Sequence, residues 1–551
     1  MFYYLWAYVA RFLALKNDVL SIPSLSHQDP ELGRLQALKP TIQTICSMSG
    51  TAGASIGVLH HGKVLYTDNI GYRDVSTKTV ADSQTLYGIG SLTKSMVAVA
   101  VGQLVDAGKL SWTTPIKDIL PDFHHYDPSV TNLTTVVDIM SHRAGFSGDI
   151  SLTFQGDGDA LLPADQLIPT INTMKMVDTF RSRWSYSSWG YSLAGLIVEK
   201  LSGLTLHEYL DRFVYGPLKM HHTTTQPSFA VGENVAEPYA SFANATPVRT
   251  TRMEFRNTLF EAAAGTYTNV DDMLKYSAAL LEAYQSNGKS NSTLKELDKI
   301  FSAQIPVREP SYRERSYALG WIRTQLPGVL GLMGDNFDII GSVAGLPEIG
   351  QCAPSKLCFY HQGSTVGYYS FIALFPETQS AVVVLSNSIA LTDSPDTIAQ
   401  AVSQALFDFP HPIDYVSFTE KATRKLVKSY DKIATTIARK RQKGTKRHLN
   451  EYTGRYWNDL NNFVLEVTLS EHSEEDTLLL SFQGLKSQIY SLRHLANDTF
   501  EWSLTLDDEA SRGRYHINDA DYFIVDFISK NGNIAELTSM GYTFVKDGRH
   551  R

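Results

Sequence analysis

The chain has 551 residues, 43% of them hydrophobic and 19% charged, which is the composition of a globular protein. This length exceeds what one compact core supports, so we expect two or three domains. The formal net charge of -8 argues against an extended basic surface, and we therefore expect no nucleic-acid partner.

The start of the chain is apolar and aromatic over residues 1–15, with Arg11 interrupting the run. This stretch is short for a membrane span, and it lacks the basic leader and the small-residue cleavage site of a signal peptide. We interpret residues 1–40 as an apolar helix packed on the protein, followed by a lead-in. Association of residues 1–15 with a membrane surface is the alternative that stays open.

Helical and strand patterns are mixed over residues 41–415, with apolar runs throughout, and we interpret this stretch as one domain. Its main predicted elements are a hairpin, two helices that each end at a glycine, and two short buried strands: residues 54–59 with 63–67, 91–107, 191–202, and 371–375 with 381–386.

The last third of the chain changes character twice. Residues 416–449 are strongly basic with few large apolar side chains, which predicts a solvated helical linker. Residues 450–551 contain short alternating runs separated by turn residues at roughly ten-residue spacing. That pattern predicts a C-terminal antiparallel β-domain, either a barrel or a sandwich.

The three cysteines, Cys46, Cys352 and Cys358, are too few for a disulfide framework. Cys352 and Cys358 would close a short loop in a secreted protein, whereas free thiols fit a reducing compartment. We favour free thiols and the cytoplasm, with membrane association and secretion left open. No Cys/His cluster has the spacing of zinc ligands, so we expect neither a metal nor a cofactor.

The candidate nucleophile is Ser91, which forms a Ser-x-x-Lys pattern with Lys94. Residues three apart on a helix share a face, so Lys94 can reach the Ser91 oxygen. The apolar stretch that follows would desolvate Lys94, lower its pKa and let it accept a proton. The alternative is that Ser91 caps the helix and Lys94 is surface charge, and the motif alone does not separate the two.

Context distinguishes Ser91 from the other serines of similar pattern. Only Ser91 follows a glycine-containing approach and opens a long apolar helix, unlike the same motif at Ser286–Lys289, Ser292–Lys295 and Ser429–Lys432. A G-x-S-x-G pattern at residues 53–57 offers Ser55 as a rival. That motif needs a strand before the serine and a helix after it, whereas a hairpin strand is predicted to follow Ser55.

Six segments occur in the order of a known family: GVLHHGKVLYTDNIGYRDV, YGIGSLTKSMVAVAVGQLVDAGKLSWTTPIKDILPDF, TVVDIMSHRAGF, WSYSSWGYSLAGLIVEKLSG, AAAGTYTNVDDMLKYSAALL and HQGSTVGYYSFIALFPETQSAVVVLSNS. On these segments, residues 41–410 resemble the class C β-lactamase and D-alanyl-D-alanine carboxypeptidase family of serine hydrolases. That family also contains esterases, D-aminopeptidases and natural-product acyltransferases. The resemblance implies an α+β fold, in which an antiparallel sheet flanked by helices packs on a helical subdomain with the active site between them.

The resemblance also implies roles for residues that the spacing alone does not assign. Ser91 matches the family's nucleophile, Lys94 its lysine and Tyr186 its catalytic tyrosine. A cationic Lys94 would help Tyr186 to become a phenolate near neutral pH. His142, within the third segment, matches a turn and is interpreted as structural.

The third motif of the family is matched by His361-Gln362-Gly363. The resemblance implies that His361 orients a substrate carbonyl or carboxylate. The backbone N–H groups of Ser91 and of Ser364, next to Gly363, would form the oxyanion hole.

The sequence departs from the family at two site positions. Ser188 stands where many relatives have Asn, and His361 stands where β-lactam-active relatives usually have Lys. Neutral histidine recognises a carboxylate less well than lysine does. Both departures point away from an antibiotic hydrolase and toward an ester or amide of another kind.

Two further segments leave alternatives open. Residues 324–358 look like an insertion before the third motif, which forms either a rim over the site or a neutral surface loop. The C-terminal domain resembles the lipocalin-like barrels appended to some D-aminopeptidase relatives. It would cover the mouth of the site, mediate assembly or serve a structural role.

The sequence thus predicts a metal-independent serine hydrolase that cleaves an ester or amide of a small metabolite or natural product through an acyl-Ser91 intermediate. Transfer of the acyl group to an alcohol or amine would use the same residues. A non-catalytic binding protein on this fold is the alternative of a different class. The sequence makes no prediction of oligomeric state.

Overall fold

A computed structural model describes residues 29–229, 233–286, 292–442, 444, 447–470 and 477–548. The predictions for residues 1–15 lie outside this part of the chain. In the described ranges, no helix combines the length and the apolar character that crossing a bilayer requires.

The helices, in chain order, are α1 Pro30–Ala37, α2 Lys39–Ser49, α3 Thr93–Asp106, α4 Ile116–Ile119, α5 Pro128–Leu133, α6 Val136–Met140, α7 Leu167–Thr173, α8 Ser188–Ser202, α9 Leu206–Leu210, α10 Glu261–Ala264, α11 Val270–Gln285, α12 Leu297–Ile300, α13 Asp335–Ile340, α14 Ser394–Phe407, α15 Tyr415–Lys440 and α16 Leu506–Ser511.

The strands up to the linker are β1 Gly53–His60, β2 Lys63–Asp74, β3 Thr79–Val80, β4 Tyr87–Gly88, β5 Tyr239–Ser241, β6 Pro247–Arg249, β7 Tyr267–Thr268, β8 Ile305–Pro306, β9 Arg315–Tyr317, β10 Ile322–Leu326, β11 Gly328–Val329, β12 Glu348–Ile349, β13 Lys356–Thr365, β14 Tyr368–Phe375, β15 Ser380–Ser386 and β16 Ser388–Ile389.

A nine-stranded antiparallel sheet is the centre of the first domain, in the order β3-β2-β1-β15-β14-β13-β10-β9-β8. Strands β14 and β15 are buried along their whole length, because α11 contacts β15 on one side and α14 contacts both strands on the other. Burial on two faces explains why these strands are continuous apolar runs rather than alternating ones. The predicted hairpin is β1–β2, and β14–β15 are the two predicted buried strands.

A helical subdomain packs beside this sheet. Helix α3 is buried on nearly every side, and it contacts α8 and α10, while α8 also contacts α6. Helix α8 ends at Gly203, whose φ of 74° is the left-handed conformation that stops a helix. The start of α3 contacts β13, so the candidate nucleophile lies where the sheet meets the helices.

The basic segment that was predicted to be a solvated linker is largely one long helix with a buried stripe. Helix α15 packs on α2, α13 and α14, and further along on the C-terminal domain. Its buried residues recur every three or four positions: Tyr415, Thr419, Ala422, Leu426, Tyr430, Ile433 and Ile437. Only the opposite face of the helix is solvated, so the segment packs against both domains instead of lying free in solvent.

The C-terminal domain is a closed antiparallel barrel of eight strands: β17 Gly454–Trp457, β18 Val464–Leu469, β19 Leu478–Phe482, β20 Ile489–Ala496, β21 Thr499–Glu501, β22 Ile524–Lys530, β23 Asn533–Ser539 and β24 Tyr542–Lys546. Buried rings pack together within it, with Trp502 4.8 Å from Tyr490 and 5.5 Å from Phe482 between ring centroids. The barrel, together with the helix-flanked antiparallel sheet, confirms the predicted fold class.

The barrel contacts the catalytic side of the first domain through residues 149–161. The Tyr542 hydroxyl donates to the Asp149 carboxylate at 2.7 Å, and the Tyr490 hydroxyl donates to the Gln155 carbonyl at 2.8 Å. Arg512 forms an ion pair with Asp157 at 2.7 Å. These contacts hold the barrel beside the region where Ser91 lies.

Candidate active site

The structure brings Ser91, Lys94 and Tyr186 together around one oxygen atom. Ser91 lies in a 3₁₀ turn, Gly90–Leu92, directly before α3, and Lys94 lies in the first turn of that helix. The Lys94 Nζ is 2.9 Å from the Ser91 Oγ, and the Tyr186 hydroxyl donates to the same Oγ at 2.8 Å. Tyr186 comes from the segment just before α8, so two separate parts of the chain meet at Ser91.

Gly90 makes this turn possible. It has a φ of 50°, and a Cβ added to it would lie 2.5 Å from the carbonyl oxygen of Ser364 and 2.7 Å from its nitrogen. A side chain at this position would therefore push the Ser91 turn away from β13. The close approach places the backbone of Ser91 beside that of Ser364, as the proposed oxyanion hole requires.

Lys94 is fully buried and has no carboxylate within ion-pair distance among the described residues. Burial lowers the pKa of Lys94 from 10.5 to about 7. Its Nζ also lies 2.9 Å from the Ala263 carbonyl and 3.5 Å from the Ser188 hydroxyl. A neutral amine can donate its two protons to these oxygens and turn its lone pair toward Ser91.

Tyr186 is held in its protonated form. Burial raises the pKa of Tyr186 above its ordinary value, and the hydrogen bond with Ser91 only partly offsets that effect. The expectation of a phenolate near neutral pH therefore needs revision. The phenol is a proton donor in this arrangement, and the neutral amine of Lys94 is the better proton acceptor.

His361 lies on β13 and is fully buried, but it does not line the cavity at Ser91. Its Nδ1 donates to the Gln362 carbonyl at 2.6 Å, and its Nε2 accepts from the Tyr317 hydroxyl at 3.0 Å. Burial, together with the nearby Lys94, lowers the pKa of His361 to about 3. This neutral, enclosed imidazole is not placed to contact a substrate carboxylate.

A cavity of about 310 Å³ opens at Ser91. Tyr186, Ser188, Gly363 and Ser364 line it, whereas Lys94 does not. The lining also includes six large apolar residues: Ile150, Phe154, Met253, Phe255, Phe260 and Val366.

Three aspartates, Asp335, Asp338 and Asp393, also line the cavity, and none of the described lining residues is Lys or Arg. Asp335 accepts a hydrogen bond from the Tyr369 hydroxyl, and Asp393 accepts one from the Gln362 amide at 3.0 Å. Burial and the neighbouring Asp396 raise the pKa of Asp393.

The segment 324–358 forms part of the cavity wall. It contributes Met333, Gly334, Asp335 and Asp338, so the structure favours the rim over the neutral surface loop. The sequence did not single out Asp335 and Asp338, because the pattern of this segment does not show which of its side chains face a distant serine.

Cys352 is exposed and Cys358 is buried in β13, and both are free thiols, as is the buried Cys46.

Tyr515 is the contribution of the C-terminal domain to the cavity. It follows α16, and its ring packs at a centroid distance of 5.6 Å against Phe154. The alternation that predicted the barrel identifies strands, but it does not show which connection between them reaches another domain. Sequence reasoning therefore missed Tyr515.

The rival serine, Ser55, lies in the middle of β1 and is fully buried. Its hydroxyl is 2.9 Å from the Tyr87 hydroxyl and donates to the Asp82 carbonyl at 3.2 Å. A strand without a following helix is not a nucleophile elbow. Within the described ranges, no group of three or more His, Cys, Asp or Glu side chains is arranged to hold a metal ion.

The fold and the Ser91 cluster together define a class of protein whose candidate site lies between an antiparallel sheet and a helical subdomain. The chain belongs to the Beta-lactamase family, whose model matches residues 38–406. A second model, described as "Domain of unknown function (DUF3471)", matches residues 438–546, which include the barrel.

Three relatives indicate the breadth of this family. Unguisins hydrolase ungD of Aspergillus violaceofuscus (strain CBS 115571) is 25% identical over 358 residues, which are 61% of this chain and 58% of that protein. Penicillin-binding protein 4 of Amycolatopsis lactamdurans is 33% identical over 33% of this chain and 43% of its own. A Beta-lactamase of Yersinia enterocolitica is 23% identical over 67% of this chain and 92% of its own. The chain thus spans less than two thirds of the length of the first two relatives.

Among solved structures, the octameric penicillin-binding protein homologue from Pyrococcus abyssi has a similar fold. Its TM-score is 0.54 at 21% identity, and the match covers 93% of this chain and 99% of that one. The similarity extends over both domains and supports the fold alone.

Proposed function

We propose that this protein is a metal-independent serine hydrolase that cleaves an ester or amide of a small metabolite or natural product through an acyl-Ser91 intermediate. The observation that carries the proposal is the position of the Ser91 Oγ, 2.9 Å from the Lys94 Nζ and 2.8 Å from the Tyr186 hydroxyl, at the base of an open cavity. A serine that contacts both a proton acceptor and a proton donor is an activated nucleophile.

In the proposed acylation, the neutral amine of Lys94 takes the proton of Ser91 as its oxygen attacks the substrate carbonyl. The backbone N–H groups of Ser91 and Ser364 stabilise the oxyanion, and loss of one such donor typically costs about 3–4 kcal/mol. Tyr186 lines the cavity and Lys94 does not. The Tyr186 hydroxyl is therefore the group that donates a proton to the oxygen or nitrogen of the leaving group.

Deacylation reverses these proton transfers. The Tyr186 phenolate left by acylation takes a proton from the water that attacks the acyl-Ser91 carbonyl, and Ser91 recovers its proton from Lys94 as it leaves. An alcohol or amine in place of water would give an acyl transferase with the same residues. The two activities differ only in whether water or another nucleophile accepts the acyl group, so analysis of the products distinguishes them.

The charge of the cavity supports a substrate other than an anionic β-lactam. The described lining residues include Asp335 and Asp338, and they supply no Lys or Arg to hold a substrate carboxylate. His361, at the position of the family's lysine, is neutral and enclosed. A relative named as a hydrolase of unguisins is consistent with an ester or amide of a natural product.

The test is intact-mass analysis after treatment with a fluorophosphonate probe. We expect one adduct on the wild type, none on Ser91→Ala, and an undiminished adduct on Ser55→Ala, which removes the rival serine. Ester hydrolysis should be lost in Ser91→Ala and kept in Ser55→Ala. A screen of products with and without an added alcohol or amine would reveal acyl transfer. A folded wild type without any adduct would favour the non-catalytic alternative.

A further inference from the structure

His142 lies in the turn after α6 and is surrounded by the residues of the site. It is 2% exposed, and its φ of 58° lies in the left-handed region, where Asn, Asp and His are enriched among residues other than glycine. Its ring centroid is 4.4 Å from that of Tyr186 and 4.6 Å from that of Tyr317. A buried turn residue with these ring contacts does more than connect two elements of the chain.

The contacts of His142 fall on three consecutive residues around the tyrosine. Its carbonyl accepts from the Ser185 N–H at 2.8 Å, and its Nδ1 accepts from the Ser187 N–H at 3.1 Å. Its ring packs on the intervening Tyr186 at an interplanar angle of 48°. The segment that carries Tyr186 lies in neither a helix nor a strand, because α8 begins only at Ser188. These contacts therefore supply the fixation that regular secondary structure would otherwise provide.

The hydrogen bond to Ser187 also determines the tautomer of His142. Since Nδ1 accepts, the ring proton must lie on Nε2. Nε2 is buried and has no hydrogen-bond partner among the described residues. Burial lowers the pKa of His142 well below its ordinary value, and Lys94 and His361 lower it further. The imidazole thus stays neutral, as acceptance from Ser187 requires.

We infer that His142 is a positioning residue that holds the Tyr186 hydroxyl against Ser91, an inference that rests on the proposed function. The acceptor at Nδ1 and the carbonyl fix the backbone on both sides of the tyrosine, while the imidazole supports its ring. His142 does not line the cavity, so it acts on the substrate only through Tyr186. A displacement of about 1 Å in a reacting group can lower a rate by about a hundredfold.

Two substitutions that tolerate the left-handed backbone separate this role from simple packing. His142→Gly removes both the acceptor and the ring, whereas His142→Asn keeps an amide oxygen near the position of Nδ1. We expect His142→Gly to lower kcat by about a hundredfold with a much smaller change in KM, and His142→Asn to restore most of that loss. Circular dichroism and thermal melting establish that both variants are folded.

A crystallographic readout keeps this inference separate from the proposed function. The distance between the Tyr186 hydroxyl and the Ser91 Oγ, 2.8 Å in the wild type, should lengthen in His142→Gly and be retained in His142→Asn. An unchanged distance in His142→Gly, or equal losses of kcat in both variants, would overturn the inference. Absence of a Ser91 adduct on the wild type would instead overturn the proposed function, and the crystallographic comparison would still decide the role of His142. Should His142→Gly not fold, His142→Gln replaces it, because its amide reaches toward Nε2 rather than Nδ1.

Discussion

Lys94 is expected to work as a neutral amine, which makes the activity of this enzyme dependent on pH in a defined direction. Burial lowers its pKa from 10.5 to about 7, and no described carboxylate lies within ion-pair distance to stabilise its charge. The amine accepts the Ser91 proton only when it is unprotonated. Activity should therefore rise with pH through an apparent pKa near 7 and level off above it.

The size of the effect follows from the two pKa values. The difference between 10.5 and about 7 corresponds to about 5 kcal/mol against the charged form in the folded protein. At neutral pH, burial increases the fraction of neutral amine by about a thousandfold relative to an exposed lysine. A lysine on the surface would be almost wholly protonated and would be a poor base.

The assay is kcat/KM for an uncharged ester from about pH 5 to pH 9 at constant ionic strength. Lys94→Arg is the matched variant, because a guanidinium stays protonated throughout this range. It should lose about 10²- to 10⁴-fold in activity at every pH. A wild-type profile that is flat around neutrality, or that rises only near the pKa of an ordinary lysine, would refute the reasoning.

The same burial predicts a change in stability. A buried lysine with a lowered pKa destabilises the folded state fully below about pH 7, and the penalty fades as pH rises toward 10.5. Lys94→Met should therefore stabilise the catalytic domain by up to about 5 kcal/mol at pH 6, less about 1 kcal/mol for the lost hydrogen bond to Ala263. Urea unfolding at pH 6 and pH 10 should show a gain only at the lower pH. An equal gain at both would contradict the assigned pKa.

Three further predictions concern the walls of the cavity and the proton donor. Tyr186→Phe keeps the ring but removes the hydroxyl, and it should lower kcat by about 10²- to 10⁴-fold, measured with an ester and checked against unchanged thermal melting. Between two esters of equal size, one bearing a quaternary ammonium and one a carboxylate, the wild type should prefer the cation by about tenfold, and Asp335→Asn should reduce that ratio, since the cavity lining is acidic. A preference for the anion would exclude this role for the carboxylates. Tyr515→Ala should raise kcat/KM for bulky acyl groups relative to small ones and leave the rate of Ser91 labelling unchanged, with Tyr515→Phe as the control that keeps the ring.

Local physical chemistry was sufficient for several conclusions about this chain. The spacing of Ser91 and Lys94 brings them together on any helix, because three residues complete almost one turn. Helix α8 was expected to end at Gly203, and it does so because a left-handed residue there costs glycine little. The order of six segments indicated the family, which the match over residues 38–406 confirms.

The burial of these side chains, and therefore their pKa values, depended on the tertiary structure. The basic composition of α15 predicted a solvated helix or linker, whereas the positions from Tyr415 to Ile437 that recur every three or four residues are buried, first against the catalytic-site domain and then against the barrel domain. The pKa of Tyr186 rises instead of falling, because the fold encloses the phenol and the hydrogen bond with Ser91 only partly offsets that burial. Neither result follows from spacing, since desolvation depends on atoms supplied by remote parts of the chain.

The composition of the cavity was likewise decided by contacts between distant segments. Tyr515, in a connection of the barrel domain, lines the same cavity as Ser91, and so does Asp335, in the segment before β13. A sequence shows which residues are neighbours along a strand or a helix, whereas the identity of a partner across a cavity depends on how whole elements pack. For this protein the sequence therefore predicted a nucleophile and its lysine, and the packing of the two domains determined the surroundings in which these two residues lie.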